Sequence, residues 1–256
     1  AYHTSGPPVP DGFNWALWQG PEPDRPYHPS YTFAVYRGWY AYGTGCLGDM
    51  GHYSLWQPYR ILKLGVPEFV EARPNNDAGV DGRHVSTGGR VSQVAFPKAS
   101  TVRWRHPATA SRPTVDTFWY DGGMKPQTPE ELYADNEDLA DEGMLFIGDK
   151  GKVYVTRSKI EATPKELLDS QFASTDTRLE ISKNHYQNFL DCLKSRAKPI
   201  ADVEVGHRTA TVCHLGNMAY RAGSTLSVDP ASGKPDNAEA MKLWAVDYEP
   251  GWEVRG

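Results

Sequence analysis

Residues 37–65 read RGWYAYGTGCLGDMGHYSLWQPYRILKLG, and the fold turns on how this stretch is read. An aromatic segment bearing Arg37 passes through a glycine-rich turn into a helical pattern. Leu47, Met50, Leu55, Ile61 and Leu62 recur near the three-to-four spacing of a buried helix face. Asp49, His52, Trp56 and Arg60 follow one another at steps of three and four, so they share a different face. Pro58 has no N–H for the helical ladder, which predicts a bend or restart around Gln57. An acid, an imidazole, an indole and a guanidinium on one stripe, at the exit of a glycine turn, mark the expected place of chemistry.

Gly43, Gly45 and Gly48 also spell G-x-G-x-x-G, and Glu71 supplies an acid at about the distance a dinucleotide fold requires. Two features argue against that reading. Arg37–Tyr42 is polar and aromatic rather than the continuous Val/Ile run of a strand buried on both faces. Asp49 would also meet a pyrophosphate with like charge. A tight turn feeding a helix is the reading these residues favour.

The 256 residues suffice for one large domain or two small ones. A net charge of -5 with scattered Lys and Arg predicts no nucleic-acid partner, which would want a basic patch. No apolar run approaches the ~20 residues of a membrane span, so no membrane partner is expected. Cys46, Cys192 and Cys213 are odd in number and unpatterned, which indicates neither a disulfide framework nor a zinc site. The chain holds 8 Trp and 14 Tyr, flat half-polar side chains that line core rims and also sugar clefts.

Along the chain, residues 1–33 read as an extended Pro- and aromatic-rich arm, with a short helical turn at Trp15–Trp18. Residues 34–256 read as one α+β domain. A strand is expected at 68–73, a loop at 74–89, and a hairpin from 90–96 and 100–105 around the link PKAS. A third strand follows at 114–123, and a second hairpin at 144–156. Thr128-Pro-Glu-Glu131 and Thr163-Pro-Lys-Glu166 each carry helix-start chemistry. Two longer helices are expected. Residues 184–196 place Tyr186, Phe189, Leu190 and Leu193 on one face, and residues 204–222 end at Gly223. A last strand at 226–229 and a terminal helix from Asp236 complete the pattern. The predicted fold is an open, mainly antiparallel β-sheet with helices packed on one face.

The blocks GTGCLGDMGHYSLW, FWYDGG, LFIGDKGK, HYQNFLDCLKSR, ADVEVGHRTATVCHLGNMAYR and DNAEAMKLW together resemble the bacterial-type C-terminal domain of the Gfo/Idh/MocA oxidoreductases. The resemblance covers nearly the whole chain. It implies a substrate domain whose open sheet mediates homo-oligomers, joined in the complete enzyme to an N-terminal Rossmann domain that binds NAD or NADP. It also implies a sugar, polyol or glycoside as substrate, a bacterial cytoplasmic or periplasmic setting, and in some members redox-assisted glycoside cleavage. This chain shows no Rossmann domain and no Glu-Lys-Pro tripeptide, so the expectation is that it binds no cofactor by itself. A different class of function stays open: a non-catalytic carbohydrate-binding or scaffold subunit that partners a complete homologue. A second departure concerns the site. Where the family pattern G-D-M-G-C-H-x-x-D places its His and Asp, this chain has Tyr53 and Trp56, and its histidine stands at His52, about 100° away around a helix.

The candidate catalytic residues are therefore His52, Tyr53 and Asp49. An imidazole suits proton transfer near neutral pH, and Asp49 at i−3 could orient it. Their plain alternative is a capped histidine and a packed tyrosine. The candidate substrate-binding residues are Arg37, Trp39, Trp56, His185 and Trp18, and for Arg37 a structural ion pair is the competing reading. His207 and His214, seven apart without converging acids, indicate no metal site.

Overall fold

The computed structural model describes residues 1–75, 92–134, 137–169 and 182–253. It divides into two compact units, each described here by itself: one of residues 1–52, 64–124 and 210–256, the other of residues 53–63 and 125–209. The fold is α+β, and every strand pairing is antiparallel. The strands form two sheets rather than the single sheet expected.

In the first unit, β1 (Phe69–Pro74), β2 (Ser100–His106), β3 (Val115–Tyr120) and β7 (Leu226–Ser227) lie in the order β3-β2-β1-β7. Strand β2 alternates cleanly, which is the two-residue period of a sheet with one covered face. Its residues Ser100, Val102, Trp104 and His106 are buried, while Arg103 and Arg105 turn outward. On the outer face both arginines meet Asp116 of β3, at 2.9 and 3.0 Å, and the Arg105 hydrogen bond, helped by that of Arg103 and by both charges, holds its carboxyl below the usual range. The covered face packs against two helices, α2 (Gly45–Ile61) and α5 (Val203–Ala222). Gly216 of α5 is the closest point. A Cβ there would stand 2.7 Å from Leu47, 3.1 Å from Trp104 and 3.2 Å from Val102. Trp104, fully buried, also donates its indole N–H to the Val212 carbonyl at 3.1 Å. Gly223 ends α5 with φ 61°, a left-handed value that glycine adopts without strain.

The second unit holds the sheet of β4 (Met144–Gly148), β5 (Gly151–Val155) and β6 (Ile160–Thr163), the short α3 (Glu130–Ala134), and α4 (His185–Ser195). Tyr154 is buried and accepts the Ala140 N–H at 2.7 Å. Lys152 pairs with Glu131 at 2.9 Å. Asn184 caps α4 by accepting the Gln187 N–H at 3.0 Å.

Several sequence expectations need correction. The strand placed at 90–96 does not pair with 100–105. Residues 90 and 91 lie outside the described residues, and Ala95 instead bridges Trp39 while β2 takes β1 and β3 as partners. Most of the 74–89 loop also lies outside the described residues. Helix α2 runs through Pro58 without restarting, since a missing N–H removes one bond of a ladder that continues with Leu62 donating to Pro58. Its buried stripe is Leu47, Gly51, Leu55 and Tyr59, a strict i+4 row, whereas Met50 and Ile61 are exposed. Thr163 caps nothing. It ends β6, and residues 165–168 form a 3₁₀ turn with no side-chain cap. The terminal helix α6 (Ala238–Met241) is capped by Asn237 rather than started by Asp236.

Candidate functional site

The glycine turn is built by close approach. Gly43 lies against the backbone of Arg37, where a Cβ would stand at 2.5 Å. A Cβ on Gly45, at φ 66°, would meet the Phe96 ring at 2.6 Å, and one on Gly48 would collide with the Thr44 side chain. Asn217 of α5 clamps the turn by donating to the Thr44 carbonyl at 2.8 Å. Each glycine is thus filled against the chain's own atoms, no strand leads in, and Asp49 occupies the first turns of α2. These residues do not fit a dinucleotide pyrophosphate, which needs open backbone amides at the helix start.

At the exit of this turn Arg37 and Asp49 close an ion pair of 3.0 Å, both partly exposed. His52 follows Asp49 by one helical turn and is exposed. Tyr53, 59% exposed, and half-buried Trp56 come next on α2, in the stretch that belongs to the second unit. There the Trp56 ring carries the Arg60 guanidinium at 5.9 Å, and Arg60 donates to the Ile200 carbonyl at 3.2 Å. His185, also in the second unit, is exposed at the start of α4.

Trp18 and Trp39 belong to an aromatic cluster in the arm. Its centre is Tyr31, fully buried and ringed by Tyr2, His3, Trp15, His28, Trp39 and Tyr42. Helix α1 (Trp15–Gln19), capped by Asn14, orients the first indoles. The indole N–H of each tryptophan in the cluster is spent on a carbonyl. Trp15 donates to Arg25 at 2.8 Å, Trp18 to Tyr31 at 2.9 Å and Trp39 to Ser30 at 2.8 Å. This is how a proline-rich segment with little regular structure satisfies backbone carbonyls.

Beneath the turn lies a recess lined by Cys46, Phe96, Ser100, Asp121, Asn217 and Tyr220, among others. Asp121 accepts from the Ser100 N–H, from Ser100 Oγ at 3.1 Å and from Trp119 Nε1 at 2.8 Å. Cys46 is exposed, yet partial burial of its thiol, with Asp121 and Asp49 nearby, pushes it up to about 11. His106 is the one strongly shifted histidine of the sheet. Its Nδ1–H donates to the Gly65 carbonyl at 3.0 Å, and burial lowers it to about 4, which keeps the ring neutral. Among the described residues no group of three or more His, Cys, Asp or Glu could hold a metal, and no helix is long and apolar enough to cross a membrane.

Of the predicted site residues, Arg37, Asp49, His52, Trp39 and Trp18 lie in the first unit, with Arg37 and Asp49 in contact, and Tyr53, Trp56 and His185 lie in the second. Sequence reasoning missed the Asp121–Ser100 pair, the Asn217 clamp and the tyrosine platform around Tyr40. Their residues lie far apart in the chain, and no spacing rule joins them.

No curated protein matches the chain. Residues 2–64, from the arm through α2, match the family model described as oxidoreductase family, C-terminal alpha/beta domain. That match, over 63 of the 256 residues, supports the resemblance of the sequence blocks to the C-terminal α/β domain of the Gfo/Idh/MocA oxidoreductases.

Proposed function

We propose that this domain binds a carbohydrate-type substrate, a sugar, polyol or glycoside, for an NAD(P)-dependent oxidoreductase. One observation carries the reading: the Arg37–Asp49 ion pair, fixed at 3.0 Å by the glycine turn, stands one helical turn before exposed His52. In this reading His52 takes or returns the proton of the reacting hydroxyl, and the Arg37–Asp49 pair fixes the helix end beside it. Hydride exchange is the chemistry of a nicotinamide, and none of it is assigned to residues of this chain. The test joins this chain to a nucleotide-binding domain of its family and supplies NAD+ or NADP+ with a panel of sugars, polyols and glycosides. Reduction of the nicotinamide by a panel member is expected. His52→Ala should lower kcat by roughly 10²-fold, the usual scale of general acid–base catalysis, while the cofactor Kd stays put. Silence across the panel would turn the reading toward a binding subunit, and an unchanged kcat would remove His52 from the mechanism.

The same reading seats a second copy of the chain on the outer face of the four-stranded sheet. Supporting it, Arg103 lies between the rings of Phe69 and Phe118, 5.7 and 5.8 Å from their centroids, and Phe118 is half exposed. Light scattering should report an oligomer that Phe118→Glu dissociates. A monomeric wild type removes this part of the proposal.

A further inference from the structure

We propose that Arg221, seated on the ring of Tyr40, reads a carboxylate, so that the substrate is a sugar acid rather than a neutral sugar. This rests on the carbohydrate reading above and narrows it.

The platform comes first. Tyr40 donates its hydroxyl to the Ser92 carbonyl at 2.9 Å and its backbone N–H to Val94 at 2.9 Å. Its ring stands edge-on to Phe96, with centroids 4.7 Å apart, and to Tyr220 at 6.4 Å. The ring is therefore held on three sides. Arg221, in the last turn of α5, lays its guanidinium over this ring at 4.4 Å. Phe96 and Tyr220, the rings that hold Tyr40, also line the recess that contains Ser100, Asp121 and Asn217.

The charges come next. A second guanidinium, that of Arg25, lies 4.3 Å from the centroid of the Tyr2 ring. The Tyr2 hydroxyl accepts the N–H of Ala41, the residue after Tyr40, and both Arg25 and Arg221 act on it electrostatically. Arg25 is neutralised by Glu22 at 3.3 Å. Arg208, lower on the same helix as Arg221, is neutralised by Glu204 at 2.6 Å. Arg221 has no carboxylate at ion-pair distance among the described residues. Among the described residues, the patch around Tyr2 and Tyr40 thus carries one positive charge with no carboxylate at ion-pair distance, on a chain whose net charge is -5.

A cation in the last turn of a helix complements its dipole, and lysine serves that purpose equally well. The planar fork seated on a ring is what bidentate carboxylate recognition uses, with the aromatic face restricting the guanidinium to one plane. A single unpaired guanidinium also matches a monoanion, whereas a phosphate ester near neutral pH carries close to two charges.

The test is calorimetric binding of D-glucuronate, D-galacturonate and D-gluconate to the full chain, each against its neutral counterpart, with glucose 6-phosphate as the dianion. At least one acid should bind roughly tenfold more tightly than its neutral partner, the scale of a hydrogen bond to a charged group, and added salt should shrink that ratio. Arg221→Gln should bring the acid down to the neutral sugar's affinity with the melting temperature unmoved, and Arg221→Lys should keep only part of the preference. Equal affinity for acids and neutral sugars overturns this proposal alone, as does a preference that survives Arg221→Gln. Tighter binding of glucose 6-phosphate than of every acid overturns the carboxylate assignment. Silence from all sugars, charged and neutral, overturns the carbohydrate reading and this proposal with it.

Discussion

The two units of the chain solve burial differently. The first closes on itself: Trp104, Tyr31, Val70, Leu226 and His106 are all at 0% exposure, and α5 is buried almost all round from Val212 to Tyr220 except at His214. The second buries less. Its sheet contributes Tyr154 and Ala162, and α4 has no buried residue at all. The α4 face read as apolar is exposed, with Tyr186 at 81% and Phe189, Leu190 and Leu193 near half. Burial is the main favourable term in folding, so the first unit should set the stability of the chain and the second should open locally at lower cost.

Four substitutions break or sharpen this contrast. The largest effect belongs to Trp104→Ala, which empties the centre of the first unit and should cost about 3–5 kcal/mol in urea unfolding. A loss no larger than that of a surface change would refute the assignment of the core. Next comes pH. Unfolded, an imidazole titrates near 6.5, and folded His106 stays neutral down to about 4. Between these values the unfolded chain holds more protons, so stability should be full above about pH 6.5 and fall as pH drops toward 4, by about 3 kcal/mol. The urea midpoint of His106→Gln, measured across that window, should be flatter than that of the wild type. Gly216→Ala should cost about 1–3 kcal/mol, because a methyl there meets Leu47, Trp104 and Val102 inside contact distance. The smallest effect is in the second unit. Asn184→Ala removes the cap of α4 and should cost about 1 kcal/mol, read as faster amide exchange confined to that helix. Exchange that quickened throughout the first unit as well would show that the two units do not open separately.

Much of this was legible beforehand where the signal is local. The turn into α2, the strands 100–105 and 114–123, the hairpin at 144–156 and the stop at Gly223 all follow from periodicity, turn residues and caps. Other features were not. Arg37 and Asp49 are twelve residues apart, and only the packing of Gly43 onto the Arg37 backbone brings them together. Phe189 and Leu190 read as core because periodicity reports a face without saying whether anything covers it. The row of Met50 and Ile61 was plausible by spacing, but tertiary packing selected Leu47, Gly51, Leu55 and Tyr59.

By itself the sequence determined the fold class, the family blocks, and the acid, imidazole and guanidinium carried by α2. These depend on residues near one another in the chain, where helix and strand periods fix who shares a face. Only the tertiary structure decided that the strands form two sheets, that Pro58 is absorbed within α2, and that Arg221 comes to rest on Tyr40. Those outcomes depend on contacts between distant segments, and such contacts are chosen by shape, burial and the satisfaction of polar groups rather than by spacing along the chain.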